Sequence, residues 1–295
     1  MKLLIYGDVV GKLGRIGVKH TLPIWCEEFS PDVVVANVEN IMHGKGIGPA
    51  QIQELKDAGV NVFTGGNHSV EGKDVASILN DETLAITRPA NMREDLPGRG
   101  AVLYDMKFAP SSKSDFPGKS DFFPSAGVKL LVINLIGQVF MHQEYASPFN
   151  AIDKILEEYA GKTPFIILDW HADATSEKTV MGRYLDGKVS AVFGTHTHVP
   201  TADAKILPKG TAYISDIGMV GPYDSIIGVE VAPSIERFTK NIKTPKNPVE
   251  SGPIEVNAIY LELSDGIGKP ASAKATAGKA VDIRHLRKIV TEYRI

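Results

Sequence analysis

Cysteine and long apolar runs are the features that this sequence most clearly lacks. Cys26 is the only cysteine, so no intramolecular disulfide can form and a reducing compartment is expected. The apolar run at residues 3–6 is shorter than the ~7 residues of a secretory signal. No stretch approaches the ~18 apolar residues of a membrane span. The sequence therefore predicts a cytoplasmic protein that has no membrane partner.

An excess of charge of one sign is also missing. The chain has 32 basic and 35 acidic residues, which leaves a net charge of −3. Proteins that coat nucleic acids are basic, so no stable nucleic-acid complex is expected. Hydrophobic residues make up 43% and charged residues 23%, values that exclude a collagen, a disordered chain and a disulfide scaffold. An enzyme and a binding module are the classes that remain.

Short apolar runs rich in β-branched residues recur along the chain, and helical patterns lie between several of them. Because the apolar residues are consecutive, the runs predict strands that are buried on both faces. The alternation of such strands with helices predicts an α/β layered fold. The strands are expected at residues 3–6, 33–38, 60–63, 130–135, 165–168, 189–193, 212–214 and 226–231, and the helices at 14–29, 49–58 and 148–159.

Two stretches interrupt this alternation. Residues 109–127 are rich in Ser, Pro and Gly, which predicts a surface insertion. Residues 241–253 are rich in Lys and Pro and predict an exposed connection, after which the alternation at 255–263 predicts a half-buried strand in an edge or terminal hairpin. Length alone gives a soft prior of two domains. We nevertheless expect one domain over residues 1–295, with a C-terminal extension after about residue 241.

Polar side chains of metal-binding types follow five of the predicted strands, at the point where each strand ends. In open α/β folds, ligands bind outside the carboxyl ends of the strands. We therefore expect these side chains to meet at one edge of the fold. They are Asp8, Glu39, Asn40, Asn67, His68, His171, His196 and His198.

Each of these groups has an ordinary alternative role, such as a helix N-cap for Asp8 or an exposed loop pair for His196 and His198. Clustering carboxylates and imidazoles is costly, however, unless a metal pairs them. A nitrogen and oxygen donor set without thiolate suits Fe, Mn, Zn, Co or Ni and disfavours Ca and Mg. Six or more ligands exceed the needs of one tetrahedral zinc and suit two metals ~3.5–4 Å apart that share a carboxylate.

The order of these groups resembles that of the calcineurin-like metallophosphoesterases. The usual Asp-x-His opening is absent, since position 10 is Val10, and Glu39 stands where most members carry Asp. The YmdB-like bacterial phosphodiesterases, which act on 2′,3′-cyclic nucleotides, share both departures. Stretches that match this subfamily further are residues 7–11, 43–46, 88–91, 174–178, 201–203 and 207–213.

The resemblance implies a four-layered α/β/β/α sandwich with two metal ions, iron first and Mn, Zn, Co or Ni as alternatives. It implies that one metal is bound by Asp8, Asn40 and His198, and the other by Asn67, His171 and His196, with Glu39 as the bridge. His68 matches the family's proton donor. The implied reaction is hydrolysis of a small phosphodiester, a 2′,3′-cyclic nucleotide, to the 3′-nucleotide by a metal-activated hydroxide. A homo-oligomer is also expected.

Other functions stay open from the residues alone. They are a phosphomonoesterase or another phosphodiesterase on the same metals, and a non-catalytic binding module of the same fold. A binding module has no need to keep every ligand position and His68, and here all of them are filled. Ser69-Val70-Glu71 stands where the subfamily has Thr-Trp-Asp, and Gln138 stands where it has Arg. These departures leave every metal ligand in place and bear on the substrate pocket.

Two residues in the loop beyond the predicted ligand Asn40 could touch the substrate. His43 and Lys45 lie in a Gly-rich stretch there, which suits contact with a phosphate group. The alternative is an ordinary solvated loop. Arg15 and Arg88 are further candidates for phosphate contacts, with a role in packing as their alternative.

Overall fold

Two β-sheets lie face to face between layers of helices, which is the predicted α/β/β/α architecture. The computed structural model describes residues 1–106, 127–141, 143–265 and 277–293. The helices in these ranges are α1 (Gly11–Phe29), α2 (Pro49–Ala58), α3 (Val75–Leu79), α4 (Pro148–Glu158), α5 (Thr175–Tyr184) and α6 (Val231–Lys240).

Each sheet has a parallel centre and antiparallel strands at its margin. The first sheet has the strand order β12-β11-β10-β1-β2-β3, and the second has the order β4-β5-β6-β7-β9-β8. The strands of the first sheet are β1 (Lys2–Val9), β2 (Val33–Asn37), β3 (Val62–Thr64), β10 (Met219–Pro222), β11 (Ile254–Ser264) and β12 (Lys279–Val290). Those of the second are β4 (Ala101–Asp105), β5 (Lys129–Ile136), β6 (Phe165–His171), β7 (Ala191–Thr195), β8 (Lys205–Ile206) and β9 (Ala212–Ile214).

Alternation along the strands divides the apolar side chains between separate core layers. On β1, Leu3 and Ile5 join the core between the two sheets, whereas Leu4 and Tyr6 join the core under α1 and α2. All four side chains are fully buried. Since burial of one such side chain contributes about 1.5–3 kcal/mol, both layers hold the first sheet in place.

The predicted strands and helices are confirmed with one exception. Residues 226–231 do not form a strand, because Ile226 and Val229 make only an isolated bridge and α6 begins at Val231. The chain reverses between them, where Ile227 has φ 48° and Gly228 has φ 104°. Both values lie in the left-handed region that an extended strand does not use.

The strand expected at residues 255–263 is present as β11, but its place in the sheet differs from the prediction. It is buried on both faces along most of its length, and it pairs with β1, β10 and β12. The hairpin is confirmed, and its outer strand is β12. The side chains of β12 are mostly exposed or partly buried and follow no regular period, which is why the sequence does not show this edge strand.

Two further expectations concern the insertion and the domain organisation. The insertion predicted at residues 109–127 falls outside the described residues except for Gly127. The single domain and its C-terminal extension stay predictions, although β11 and β12 belong to the first sheet. Among the helices of the described ranges, none combines the length and apolar content that a membrane crossing requires.

Candidate metal centre

The strand ends that carry the predicted metal ligands converge at one edge of the two sheets. Strands β1, β2 and β3 are parallel in the first sheet, as are β5, β6 and β7 in the second. The structure brings every predicted ligand into one chain of contacts no longer than 3.9 Å. These residues are Asp8, Glu39, Asn40, Asn67, His171, His196 and His198.

Three of these residues form a first group at the end of β1. The Nε2 atom of His198 lies 3.9 Å from Oδ1 of Asp8 and 3.4 Å from Nδ2 of Asn40. The Asp8 side chain is fully buried, and its Oδ1 has no hydrogen-bond partner among the described residues. A buried carboxylate oxygen without a donor is costly unless a cation faces it. Half a turn of the Asn40 amide would present its oxygen to the same place, in exchange for the hydrogen bond from Nδ2 to Glu39.

Three others form a second group around His171, the last residue of β6. Its Nε2 lies 2.8 Å from Oδ1 of Asn67 and 3.0 Å from Nδ1 of His196. With Glu39, these two histidines place one ligand atom each within 4.8 Å of one another. Imidazole nitrogens and a carboxylate at this spacing are a donor set that suits a transition metal.

Glu39 lies between the two groups and contacts both. Its Oε1 atom is 3.0 Å from Nδ2 of Asn40 and 3.4 Å from Nε2 of His171. Its Oε2 atom accepts a hydrogen bond of 2.8 Å from the backbone N–H of His68. A buried carboxylate in this position is what a bridge between two metals requires.

The space between Glu39 and His171 exists only because residue 66 is glycine. A Cβ atom on Gly66 would lie 2.2 Å from Oε2 of Glu39 and 2.4 Å from Nε2 of His171. Backbone strain is present beside this space, since His196 has φ 99° and His198 has φ 66°. Such conformations cost on the order of 1–3 kcal/mol each and cluster at functional sites.

The carboxyl groups of the cluster have raised pKa values. Burial, with a smaller contribution from the charge of Asp216, raises the pKa of Asp8. Burial and the neighbouring charge of Asp8 raise the pKa of Glu39 well above its ordinary value. Both carboxylates are therefore destabilised as anions unless a cation compensates them.

The imidazoles shift in the opposite direction. Burial, with the neighbouring His196, lowers the pKa of His171 well below its ordinary value. Burial, with the positive charge of Lys178, lowers the pKa of His196 to about 4, and burial also lowers the pKa of His198. All three rings are neutral near pH 7, which is the form that binds a metal. The donor set therefore fits a metal centre by composition and charge.

His68 lies beside the cluster, and its side chain contacts the carboxylate of Glu71. Its Nδ1 is 2.7 Å from Oε1 of Glu71, and its side chain is 21% exposed. Glu71 stands at the position of the subfamily's Asp, so this departure keeps a carboxylate next to the ring. The contact with Glu71 uses Nδ1 and leaves Nε2 as the ring nitrogen outside it.

The predicted substrate contacts are less well placed. His43 and Lys45 are exposed, and Nδ1 of His43 lies 3.5 Å from a carboxylate oxygen of Glu250. Arg15 binds Glu54 and the carbonyl oxygen of Ile41, both at 2.6 Å. The Arg88 guanidinium donates to backbone carbonyl oxygens of its own loop. The two arginines therefore stabilise the fold, and the roles of His43 and Lys45 stay predictions.

A buried ion pair beneath the histidine loop could not be identified from the sequence. Lys178 on α5 donates to Asp216, and it also donates to the backbone oxygen of Thr195 at 2.6 Å. The only signal was that Lys178 ends one of the stretches shared with the subfamily, 174–178. A lysine on a helix otherwise predicts an exposed face.

The sandwich and the cluster at its edge define a metallophosphoesterase, a hydrolase of phosphoric ester bonds. Within that class, the sequence model of the YmdB-like protein family matches residues 4–275, and the chain belongs to this family.

Relatives of known sequence or structure agree with this assignment. The 2′,3′-cyclic-nucleotide 2′-phosphodiesterase of Bacillus subtilis strain 168 is 38% identical over 265 residues, which are 90% of this chain and 92% of that protein. The crystal structure of a novel phosphatase from Mycoplasma pneumoniae has a TM-score of 0.82 at 30% identity and covers 99% of this chain and 94% of its own. A hypothetical protein from Thermus thermophilus has a TM-score of 0.80 at 35% identity, over 98% of this chain and 99% of its own.

Proposed function

We propose that the chain is a dinuclear metal-dependent phosphodiesterase that hydrolyses 2′,3′-cyclic nucleotides to 3′-nucleotides. The observation that carries this proposal is the position of Glu39, which contacts Asn40 at 3.0 Å and His171 at 3.4 Å. One carboxylate thus joins two groups that each offer three further donors. The name of the Bacillus subtilis relative supports the choice of substrate.

The two proposed ligand sets differ in composition. Asp8, Asn40 and His198 make one set with two oxygen donors and one nitrogen, and Asn67, His171 and His196 make the other with one oxygen and two nitrogens. Neither contains a thiolate, which suits Fe, Mn, Zn, Co or Ni. We propose iron among these because the resemblance to the YmdB-like phosphodiesterases implies it. When bound, such a pair would polarise the phosphoryl oxygens and lower the pKa of a water molecule toward neutrality.

The chain's own residues supply the proton and the alignment. His68 is proposed to donate a proton from Nε2 to the departing 2′ oxygen of the ribose, because Nδ1 is held by Glu71 at 2.7 Å. The backbone N–H of His68 also donates to Glu39 at 2.8 Å. The proton donor and the proposed bridge are therefore fixed to each other.

The proposal is tested by metal analysis combined with turnover. Purified protein is analysed by emission spectroscopy, stripped with a chelator and reloaded with Fe or Mn. Rates are then measured on 2′,3′-cyclic AMP, p-nitrophenyl phosphate and its bis ester. We expect two metals per chain, a metal-dependent rate and a preference for the cyclic diester.

Each contrary result would select a different function. Preference for the monoester would favour a phosphomonoesterase, and preference for the bis ester over the cyclic nucleotide would favour another phosphodiesterase. Two bound metals without turnover on any ester would favour a binding module. Full activity of a verified metal-free preparation would overturn the metal mechanism.

We also propose the cytoplasm as its compartment, since the single cysteine, Cys26, gives the chain no intramolecular disulfide to gain from an oxidising one. The expected homo-oligomer stays a prediction, which light scattering coupled to size-exclusion chromatography would test.

A further inference from the structure

The ring of His171 is held on the side away from the cluster by a hydroxyl group. Its Nδ1 lies 2.9 Å from Oγ1 of Thr195, and both side chains are fully buried. The Thr195 hydroxyl in turn donates to Oδ1 of Asp169 at 2.6 Å. A hydroxyl carries a single proton. While Asp169 is ionised and accepts that proton, the oxygen of Thr195 can only accept from the N–H of His171.

Asp169 is itself fixed by donors from the opposite sheet. Its Oδ2 accepts from Oγ1 of Thr64 at 2.5 Å and from Nδ2 of Asn37 at 3.0 Å. Thr64 and Asn37 are the last residues of β3 and β2, whereas Asp169 and Thr195 lie on β6 and β7. The carboxylate therefore faces three donors across the junction of the two sheets and has little freedom to turn away from Thr195.

The opposite nitrogen of the ring faces the proposed metal position. Nε2 of His171 is directed at Asn67, His196 and Glu39, at 2.8, 3.0 and 3.4 Å. We propose that Thr195, held by Asp169, is a positioning residue that keeps the proton of His171 on Nδ1 and so presents the unprotonated Nε2 to the metal. This inference rests on the proposed metal centre.

A backbone carbonyl oxygen orients a second histidine of the cluster, His198, in the same way. Nδ1 of His198 lies 3.2 Å from the backbone oxygen of Ile227, which can only accept. The ring therefore also carries its proton on Nδ1 and turns Nε2 toward Asp8. Histidines that bind metals commonly donate their other N–H in this way, and loss of the acceptor typically costs 10–100-fold in metal affinity. The Thr195 oxygen is thus the acceptor for Nδ1–H of His171, as the Ile227 carbonyl oxygen is the acceptor for Nδ1–H of His198.

Substitution at Thr195 separates this role from a merely structural one. Thr195→Val keeps the shape and removes the acceptor, whereas Thr195→Ser keeps the hydroxyl. Thr211→Val is the matched control, because its buried hydroxyl donates to the carbonyl of Val189 at 2.7 Å. Metal affinity is measured by titrating the metal-free proteins with Mn²⁺ in a calorimeter, and stability by urea unfolding without metal.

We expect Thr195→Val to weaken binding of one of two Mn²⁺ ions by about 10–100-fold, with Thr195→Ser and Thr211→Val close to wild type. Equal affinity in Thr195→Val and wild type would overturn the inference while leaving the metal centre intact. A wild-type protein that binds no metal would instead contradict the proposed function.

The tautomer can be read without any variant at Thr195 and without metal. Metal-free protein labelled with ¹⁵N-histidine gives long-range proton–nitrogen spectra in which Nδ1–H and Nε2–H rings differ, and comparison with His171→Gln identifies the signals of His171. We expect the Nδ1–H form, although Oδ1 of Asn67, which can only accept, lies 2.8 Å from Nε2 and favours the opposite tautomer. Finding the proton of His171 on Nε2 would overturn the inference even if Thr195→Val failed to fold.

Discussion

The ammonium group of Lys178 lies 2.8 Å from the carboxylate of Asp216, and both side chains are almost completely buried. Lys178 also donates to the backbone oxygen of Thr195, and Asp216 accepts from the backbone N–H of Thr197 at 3.2 Å. The pair thus holds the chain on both sides of His196. It fixes the strained loop on which two of the proposed ligands stand.

Removal of one partner of this pair should be strongly destabilising. Lys178→Met leaves the Asp216 charge buried and uncompensated, which costs about 3–5 kcal/mol in comparable pairs. The free energy of unfolding of the metal-free protein in urea measures this loss. Lys205→Met is the matched control, since Lys205 is 47% exposed and lies 4.0 Å from Asp203, and a surface pair contributes only about 0–1 kcal/mol. An equal effect of the two substitutions would contradict the structural role of Lys178.

The clustering of the proposed ligands could be predicted from the sequence, whereas the residues that hold them in place could not. Asp8, His171 and His196 lie within three residues of the ends of apolar runs, so their place at the strand ends is a local property of the chain. The partners of Lys178 lie 17 and 38 residues away along the chain. Their contact depends on how α5 packs against β7, which no periodicity shows.

The same distinction explains the error at residues 226–231. The apolar residues there suggested a strand, yet the turn directs the carbonyl of Ile227 at His198. Ile226 and Ile227 are 39% and 51% exposed, so apolar side chains on this turn are not a sign of burial. A local pattern does not distinguish an apolar turn beside a site from a buried strand.

The proposed bridge predicts that metal content and activity fall together. Glu39→Gln keeps the size of the side chain but removes the charge that faces both ligand groups, so both metals should bind more weakly. Emission spectroscopy gives metals per chain, and turnover is measured on 2′,3′-cyclic AMP. Glu54→Gln serves as the control, because Glu54 lies on α2 and binds Arg15 and Lys19. A Glu39→Gln protein with two metals and normal turnover would show that Glu39 is not the bridge.

Replacing Gly66 by a larger residue should also weaken metal binding, in this case by a steric effect. In Gly66→Ala the new methyl group occupies the space between Glu39 and His171, where the nearest atoms are 2.2 and 2.4 Å from the Cβ position. We expect a decrease in Mn²⁺ affinity on the order of 10²-fold, comparable to the loss of a group that orients a ligand. Gly221→Ala is the control, since its Cβ would meet nothing closer than 3.2 Å. Unchanged affinity in Gly66→Ala would place the metals elsewhere.

The raised pKa of Asp8 predicts a pH dependence of the metal-free protein. A carboxyl whose pKa is raised on folding holds its proton longer in the folded state, so its stabilising contribution is lost as pH rises through the folded pKa, which is about 8. The cluster histidines His171, His196 and His198, whose pKa values burial lowers on folding, act in the opposite direction below about pH 7.5, and comparison with Asp8→Asn removes their contribution. The contribution of Asp8 to the free energy of unfolding should therefore fall as pH rises toward 8, by up to about 1.4 kcal/mol per pH unit, and become constant above about pH 9.

Two variants check that assignment. Asp8→Asn has no proton to lose and should flatten the dependence. Asp203→Asn should leave the pH dependence unchanged. Burial acts to raise the pKa of Asp203, but hydrogen bonds from Thr201 and Ser215 hold that pKa below its ordinary value. The Asp203 carboxyl is therefore ionised in both states above pH 7. The same slope in wild type and Asp8→Asn would contradict the prediction.

His68 should matter only as far as the leaving oxygen needs a proton. A ribose hydroxyl is a poor leaving group and needs one, whereas p-nitrophenolate is a good one and hardly does. His68→Gln should therefore keep both metals and lose roughly 10²–10⁴ in rate on 2′,3′-cyclic AMP, with a clearly smaller loss on bis-p-nitrophenyl phosphate when chemistry limits both rates. His20→Gln, at an exposed position on α1, is the control.

Equal losses on the two substrates with metals intact would mean that His68 positions the substrate. Loss of metal would make it a ligand, and His43 would then be the first candidate for the proton donor.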